Sequence, residues 1–412
     1  MDSTRKFHQE FTALKQQFDS IQPEFALTVA DPALGVEGYV VVWNTKIAEG
    51  GPLHGAGKGG TRCEATLDLG QVARLACTMA LKNAAAGLPL GGAKSGVKLD
   101  KHDPRYEQKW RRFIELTASV LHERGGCFGG YGYDKGCHVP DNAIWTIDEL
   151  TSKQIGTERS FTGKPVELGG TDYDSEGIAG LGVAIAARTV LETQGKSAQG
   201  ARFAVQGMGA MGAGIYRYFT EYGGELAALS DPLLGGTWVF EHTLAEALRH
   251  ALAHREVSAA KKLLPQAGKK ISADVIEALY QDIDVLFPAA TEDAITAANA
   301  HLVKARFICE GANNPTSDEA HQILFANNQL VVPDIIANAG GIIAAFVEMT
   351  TPTTPEVVRN RAKMQKAKDL TIAKVSKNTR HLIDMVTRLK VRPDQVGDLI
   401  ALRNLRYGLA KI

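Results

Sequence analysis

Between residues 202 and 231 the chain reads Arg202-Phe203-Ala204-Val205-Gln206, then Gly207-Met208-Gly209-Ala210-Met211-Gly212, then a helical stretch to about Tyr222, and then Glu225-Leu226-Ala227-Ala228-Leu229-Ser230-Asp231. A strand, a G-x-G-x-x-G turn, a helix and a second strand ending on an acid is an order that few folds use. Each glycine has a task in it. Gly207 permits the tight turn, Gly209 lets a pyrophosphate approach the backbone, and Gly212 allows close packing of the helix, whose first amides, around Ala210 and Met211, point at the phosphate. Asp231 lies about 20 residues beyond Gly209, where an acid accepts hydrogen bonds from an adenosine ribose. Pro232, Leu233 and Leu234 follow it, with no arginine or lysine waiting for a 2′-phosphate. The expected cofactor is NAD, with NADP left open; the alternative is a doubly wound domain that binds another ligand or none.

Further apolar runs alternate with helical stretches: Asp284-Val285-Leu286-Phe287, Arg306-Phe307-Ile308-Cys309 and Leu330-Val331-Val332. This alternation predicts a doubly wound parallel sheet. The segments after these strands are small or amide-bearing: Pro288-Ala289-Ala290-Thr291, Glu310-Gly311-Ala312-Asn313 and Asn338-Ala339-Gly340-Gly341. Ligands bind outside the carboxyl ends of such strands, so Ala289, Ala290, Asn313 and Asn338 are expected near the cofactor, the two asparagines at the nicotinamide ribose or carboxamide. After Ile343 the chain reads as mostly helical to Ile412.

The other informative stretch is Lys58-Gly59-Gly60-Thr61-Arg62, followed by Lys82 and by Gly91-Gly92-Ala93-Lys94-Ser95-Gly96, read as a glycine-rich turn. Residues 69–86 have the period of an amphipathic helix with Val72, Leu75, Ala76 and Met79 on one face, and Lys82 falls on that face. A lysine directed at a core needs an anionic partner or a lowered pKa, unless it snorkels out at the helix end beside Asn83. Three lysines converging on one glycine-walled segment point to a site. Around them, residues 3–21 read as a polar amphipathic helix, 38–43 as a strand and 104–123 as a helix. Gly125-Gly126-Cys127-Phe128-Gly129-Gly130-Tyr131-Gly132 is too rich in glycine for regular structure, and Val139-Pro140-Asp141-Asn142 leads into a helix near Ala143.

With 412 residues the chain exceeds one ordinary core, and a formal net charge of +0 gives no global field to recruit nucleic acid or an anionic membrane. Bound anions must be recognised locally. No run is long and apolar enough to span a bilayer, and the N-terminus has no signal-peptide core, so the expected location is the cytosol, with no nucleic-acid or membrane partner. The 5 cysteines are scattered and odd in number, which fits reduced thiols. Cys127, Cys137 and His138 lack the paired short spacings of a zinc site, and no metal is expected.

Taken together, these blocks resemble the glutamate/leucine/phenylalanine/valine dehydrogenase family from about Val40 to Met349. The blocks are Lys58-Gly59-Gly60-Thr61-Arg62, Leu81-Lys82-Asn83-Ala84-Ala85-Ala86-Gly87, Leu90-Gly91-Gly92-Ala93-Lys94, Val205-Gln206-Gly207-Met208-Gly209, Pro288-Ala289-Ala290, Glu310-Gly311-Ala312-Asn313 and Asn338-Ala339-Gly340-Gly341. The resemblance implies an α/β protein of two domains separated by a cleft. Residues 1–180, completed by a helical segment 345–412, would form the substrate and oligomerisation domain, and 181–344 the Rossmann-type NAD domain. It implies NAD(P)-dependent oxidative deamination of an L-amino acid to a 2-oxo acid and ammonia by a homo-oligomer. Lys94 would be the catalytic lysine, Asp141 the acid–base carboxylate and Lys82 the partner of the substrate α-carboxylate, with Gly91 and Gly92 walling the substrate. A lysine crowded by cations has a depressed pKa and can activate water near neutrality.

Lys58 stands where glutamate-specific members hold the γ-carboxylate, which favours glutamate. Ala345 stands where that pattern has a serine, so the second contact is missing. The family's threonine facing the carboxamide is replaced by Ile178 or Ala179, its arginine by Asp174, and the region after Asp141 lacks the usual Gly-Thr character. Competing readings are a dehydrogenase for branched-chain or other apolar amino acids, with Lys58 turned aside, and a weakly active or silent member that senses a nucleotide or amino acid.

Overall fold

The computed structural model describes residues 2–134, 137, 139 and 141–408. Pro140 of the expected lead-in to a helix and His138 of the rejected zinc grouping fall outside that set, as do residues 409–412. The chain forms two compact units, one of His8–Asp172, Ile342–Ala367 and Asp398–Ile412, the other of Met1–Phe7, Tyr173–Gly341 and Lys368–Gly397. The expected division put all of 345–412 with the first domain, whereas Lys368–Gly397 packs within the dinucleotide unit. Amphipathic helices of this length carry no sequence mark of which core they cover.

In the first unit, the part of α1 (Asp2–Asp19) from His8 onward precedes a sheet of β1 (Phe25–Asp31), β2 (Val36–Trp43), β3 (Gly57–Lys58), β4 (Thr61–Cys63) and β5 (Gly91–Val97). Strand order is β1-β2-β5-β3, with β4 also on β5; β2 runs antiparallel to both β1 and β5, and β3 and β4 run parallel to β5. β2 is buried on both faces. Val40 and Val42 join a core with Trp110, Phe113, Phe128, Tyr131 and Phe161, while Tyr39 and Val41 face Leu67, Val72 and Ala76. Those last two residues belong to α2 (Leu69–Ala85), which opens on a capping box in which the Asp68 carboxylate accepts from the Gln71 amide and the Gln71 side chain accepts from the Asp68 amide. Trp110 and Phe113 lie on α3 (Tyr106–Thr117), which ends sooner than expected and is followed by short 3-10 turns.

The segment read as a glycine-rich turn is β5, a strand buried at all 7 positions. Its glycines are there for close approach. A Cβ at Gly92 would lie 2.2 Å from the Ala76 carbonyl oxygen of α2, and one at Gly59 would lie 1.6 Å from the Ala93 carbonyl oxygen of β5. Glycine depletion in strands reflects a missing side chain to pack; here backbone fills that space. Within the second glycine-rich run, Tyr131–Gly132 is a short strand, β6, parallel to β7 (Phe161–Thr162). α4 (Asn142–Ser152) follows it.

The second unit begins with α5 (Ile178–Thr193), β8 (Arg202–Gln206), α6 (Ala210–Glu221) and β9 (Glu225–Asp231). β10 (Gly236–Val239), β11 (Lys269–Ser272), β12 (Val285–Pro288), β13 (Phe307–Cys309) and β14 (Leu330–Val332) complete a sheet of order β11-β10-β9-β8-β12-β13-β14. The five strands from β9 to β14 in this order are parallel; β10 and β11 extend the edge as an antiparallel pair that the sequence pattern did not predict. One face carries Phe203, Phe219 and Phe287 in edge-to-face contact, the other Ala204, Ala228, Leu286, Ile308 and Val331. β9 lies on one side of β8 and β12 on the other, so connections leave β8 and β12 in opposite directions. That is the switch point at which doubly wound sheets bind ligands.

Candidate active site

In the first unit, the lysine segment is held together by Asn83, fully buried on α2. Its amide donates to the carbonyls of Lys58 (3.0 Å) and Gly91 (2.8 Å), fixing the helix to β3 and β5 at once. Lys58 (3% exposed), Lys82 (8%) and Lys94 (5%) are all buried, so none of the three snorkels into solvent. Lys58 Nζ donates to the neighbouring Gly59 carbonyl at 2.8 Å. Burial, and then the Lys94 ammonium, lowers the Lys58 pKa to about 7. Lys94 Nζ contacts Asp134 Oδ2 at 2.5 Å, and Arg62 Nε reaches the same oxygen at 3.2 Å. Glycine forms the wall between these groups: a Cβ at Gly60 would lie 3.4 Å from both Lys94 Nζ and Asp134 Cβ, and one at Gly132 2.7 Å from Lys58 Nζ.

Asp134 was not singled out by sequence. Asp141, which was, lies exposed at the N-cap of α4 and makes no capping bond there. A signal was present: Gly136-Cys137 follows Asp134 with the glycine-plus-small character that Asn142-Ala143 lacks after Asp141. Gly91 and Gly92 are buried in β5, where the space of their missing side chains is filled by the 43–45 backbone and by α2.

Also unanticipated is a buried ion pair, Lys164 Nζ to Glu348 Oε2 at 3.0 Å, with both side chains at 0% exposure. The Glu348 carboxylate accepts further bonds from the Gly163 amide (3.1 Å) and from the amide and hydroxyl of Thr171 (2.9 and 2.7 Å). Its charge is one of the two negative groups offsetting the burial of Lys58, the other being Asp134. Ala345 lies one helical turn before Glu348 on the helix Gly340–Thr350 and is itself buried.

In the second unit, β8 is followed by Gly207, whose φ of +88° only glycine adopts without strain and whose Cβ would lie 2.8 Å from Ala290 after β12. A Cβ at Gly212 would come within 1.8 Å of the Gly207 carbonyl oxygen; at Gly209 it would meet nothing within 4 Å. The loop is therefore closed on its inner side and open at Gly209, beside the first amides of α6, which fits a pyrophosphate. Asp231, 8% exposed, accepts from the Met208 amide on Oδ2 (2.8 Å) and the Leu233 amide on Oδ1 (2.7 Å). Across the sheet's carboxyl edge, Asn338 Nδ2 donates to the Gly311 carbonyl (2.7 Å) and reaches Asn313 Oδ1 (3.5 Å), which brings the two expected asparagines together. Ile178 is fully buried at the start of α5 and Ala179 is half-buried; both border the turn after Asn338, a Cβ at Gly340 lying 2.0 Å from the Ile178 carbonyl oxygen and one at Gly341 lying 3.9 Å from Ala179 Cβ.

Residues 169–392 match the model for Glutamate/Leucine/Phenylalanine/Valine dehydrogenase, and residues 23–126 match that for the Glu/Leu/Phe/Val dehydrogenase dimerisation domain. The chain is 36% identical over 321 residues to an NADP(+)-dependent glutamate dehydrogenase of Pyrobaculum calidifontis, covering 76% of this chain and 72% of that one. It is 34% identical over 336 residues to a glutamate dehydrogenase of Thermotoga maritima, covering 79% and 77%. The fold superposes on a hetero-hexameric glutamate dehydrogenase of Thermus thermophilus with a TM-score of 0.74 at 24% identity, over 98% of this chain and 96% of that one. With a glycine loop open at Gly209 in one unit, a buried lysine–aspartate contact in the other, and matches spanning both, the chain belongs to the Glu/Leu/Phe/Val dehydrogenase family of NAD(P)-dependent amino acid dehydrogenases.

Proposed function

We propose that the protein catalyses the NAD-dependent oxidative deamination of L-glutamate to 2-oxoglutarate and ammonia, as a homo-oligomer. The observation that carries glutamate is the burial of Lys58 beside a glycine wall, next to Lys94. An ammonium held out of water with a pKa near 7 gains most from an incoming carboxylate, which restores its charge and takes a charge-assisted hydrogen bond. Lys82, buried on α2, takes the substrate α-carboxylate. Lys94 activates the attacking water and, in the reverse direction, polarises the carbonyl. The proton role assigned on sequence to Asp141 goes in this reading to Asp134, because Asp134 already contacts Lys94 and can pass a proton to and from the substrate nitrogen. NAD, when bound, supplies the hydride acceptor. Asp231 favours it over NADP, since a carboxylate accepts from a ribose diol and repels a 2′-phosphate.

One observation favours a second reading: Ala345 leaves an apolar position where a glutamate pocket gains a hydroxyl, which suits leucine, norvaline or methionine. Initial rates over a panel of amino acids with NAD and with NADP separate the two. Glutamate giving the highest kcat/KM supports the proposal; a preference for an apolar substrate transfers it to the second reading, and no turnover with any amino acid refutes both.

A further inference from the structure

Two cysteines that the reaction does not use meet beside the lysine–aspartate contact of the first unit. Cys63 ends β4, directly after Arg62, and Cys137 lies three residues beyond Asp134. Tyr133 forms a parallel bridge with Thr61, which lays the chain leading to Cys137 against β4. The Cys137 thiol donates to the Thr61 carbonyl at 3.1 Å and the Cys63 thiol to the Leu99 carbonyl at 3.2 Å. Around them, the Tyr106 hydroxyl stands 3.9 Å from Cys63 Sγ and accepts at 3.2 Å from the Asn142 side-chain amide, which also donates to the Cys137 carbonyl. We infer that Cys63 and Cys137 form a dithiol site that hydrogen peroxide oxidises to a disulfide, and that this linkage draws Asp134 off Lys94 and stops turnover. The effect on turnover rests on the role proposed above for Asp134; the linkage itself does not.

Three observations support it. First, the two thiols are in hydrogen-bond contact, and that contact sets Cys63 apart. Cys137, and then the Tyr106 hydroxyl, hold the Cys63 thiol below its ordinary pKa in spite of its burial, whereas burial raises Cys77, Cys127, Cys137 and Cys309. The thiolate is the reactive form, so Cys63 attacks first. Secondly, burial selects the oxidant. Cys63 is 5% exposed and Cys137 0%, which shuts out a disulfide the size of oxidised glutathione and admits only a molecule as small as hydrogen peroxide. The Cys63 thiolate displaces hydroxide from the peroxide and becomes a sulfenic acid, and the proton it had released turns that hydroxide into water. The Cys137 sulfur then displaces the sulfenic hydroxyl, its own proton leaving with that hydroxyl as a second water. Two thiols are thus oxidised to one disulfide by two electrons, and one peroxide is reduced to two waters. Thirdly, both cysteines are tied to the groups that hold Asp134. The Cys137 amide donates to the Asp134 carbonyl at 2.8 Å, and Arg62, which precedes Cys63, reaches the Asp134 carboxylate at 3.2 Å. Linkage removes the thiol protons that bond Thr61 and Leu99 and closes the sulfurs to covalent distance, so the turn from Asp134 to Cys137 shifts with them.

The test uses the full-length protein, fully reduced and then titrated with hydrogen peroxide, beside its Cys63→Ser and Cys137→Ser variants. Serine keeps a hydrogen-bond donor at each position, so both variants should retain the initial rate of the reduced parent. Peptide mass spectrometry without reductant should find Cys63 joined to Cys137 in the parent. Its kcat should fall in step with the linked fraction, by about a hundredfold when linkage is complete, and return with dithiothreitol. Under the same peroxide Cys63→Ser should keep its rate, and Cys137→Ser should hold Cys63 as a sulfenic acid that dimedone traps. If no Cys63–Cys137 peptide forms in an active parent, or peroxide inhibits Cys63→Ser as strongly as the parent, the inference is overturned. Linkage with an unchanged rate also overturns it, because Asp134 has then kept its place. A reduced parent that turns over no amino acid refutes the proposed function instead, and the mass of the joined peptide decides the dithiol site on its own.

Discussion

At the scale of single residues, the decisive feature is that two buried ammonium groups, Lys58 and Lys94, differ in their partners. Lys94 has a carboxylate at 2.5 Å, whereas Lys58, among the described residues, donates to a backbone carbonyl at 2.8 Å. The first is equipped for proton transfer and the second for receiving an anion. Asp134→Asn should lower kcat by about a hundredfold or more, the usual cost of a lost acid–base group, while Asp141→Asn leaves it within about twofold. The reverse pattern in the same assay would return the acid–base role to Asp141. For Lys58 the sign follows from its pKa, which is lowered to about 7 in the free protein. Below that pH the ammonium is ready for a carboxylate; above it, the protonated fraction drops by about tenfold per pH unit. The ratio of kcat/KM for glutamate to that for norvaline should therefore fall as pH rises from about 7 to 9. Dividing by norvaline cancels ionisations that both substrates share. Lys58→Leu should flatten this ratio and lower it at neutral pH by about one to two orders of magnitude. A wild-type ratio independent of pH would mean that Lys58 does not face the substrate side chain.

At the scale of elements, what could be read from sequence depended on whether a residue's task is local. The loop Gly207–Gly212, α6 and the acid at the end of β9 follow from spacing alone, because a tight turn, a helix start and a strand end are short-range events. β5 did not, because its glycines are set by α2 and β3, whose approach is tertiary. Asp134 was hidden for a related reason: it follows a glycine-rich run whose strand β6 is only 2 residues long, and its partner Lys94 is 40 residues away. The glycines of the dinucleotide loop differ in a way that can be measured. A Cβ on Gly209 meets nothing within 4 Å and its φ is −67°, so Gly209→Ala should fold normally. It should nonetheless weaken NADH binding by about tenfold, since the methyl group enters the space of the pyrophosphate. Gly212→Ala should instead destabilise the protein by about 1–3 kcal/mol, because its methyl would stand 1.8 Å from the Gly207 carbonyl oxygen. NADH fluorescence titration and thermal melts on both variants check this. Equal melting temperatures with equal affinities would contradict the close packing described here.

At the scale of the whole molecule, the family and the two-domain α/β plan were legible because they rest on many ordered blocks. The packing of Lys368–Gly397 within the dinucleotide unit was not, and in the stretch Ile342–Ala367, which belongs to the first unit, the group that fastens the chain is Glu348. This residue stands 184 positions from its partner Lys164, and its bonds to Gly163 and Thr171 tie the helix Gly340–Thr350 to the segment around residues 163–171. Lys363 adds a third strand of the network, donating to Thr353 Oγ1 at 2.8 Å and reaching the Glu348 carbonyl at 3.4 Å; burial lowers its pKa to about 8. A buried pair of this kind contributes modestly when complete but is costly to break from one side, because the remaining charge is left desolvated. Glu348→Gln keeps the size and some of the acceptor capacity while stranding the Lys164 ammonium, so it should lower stability by about 3–5 kcal/mol, read from the urea midpoint. The double variant Lys164→Met, Glu348→Leu removes both charges at similar volume and should recover a large part of that loss. Because Glu348 also offsets the burial of Lys58, Glu348→Gln should in addition lower the pH above which glutamate loses its advantage over norvaline. An unchanged midpoint in Glu348→Gln, or a double variant less stable than the single one, would show that Lys164 and Glu348 are not the fastening between these two distant stretches of chain.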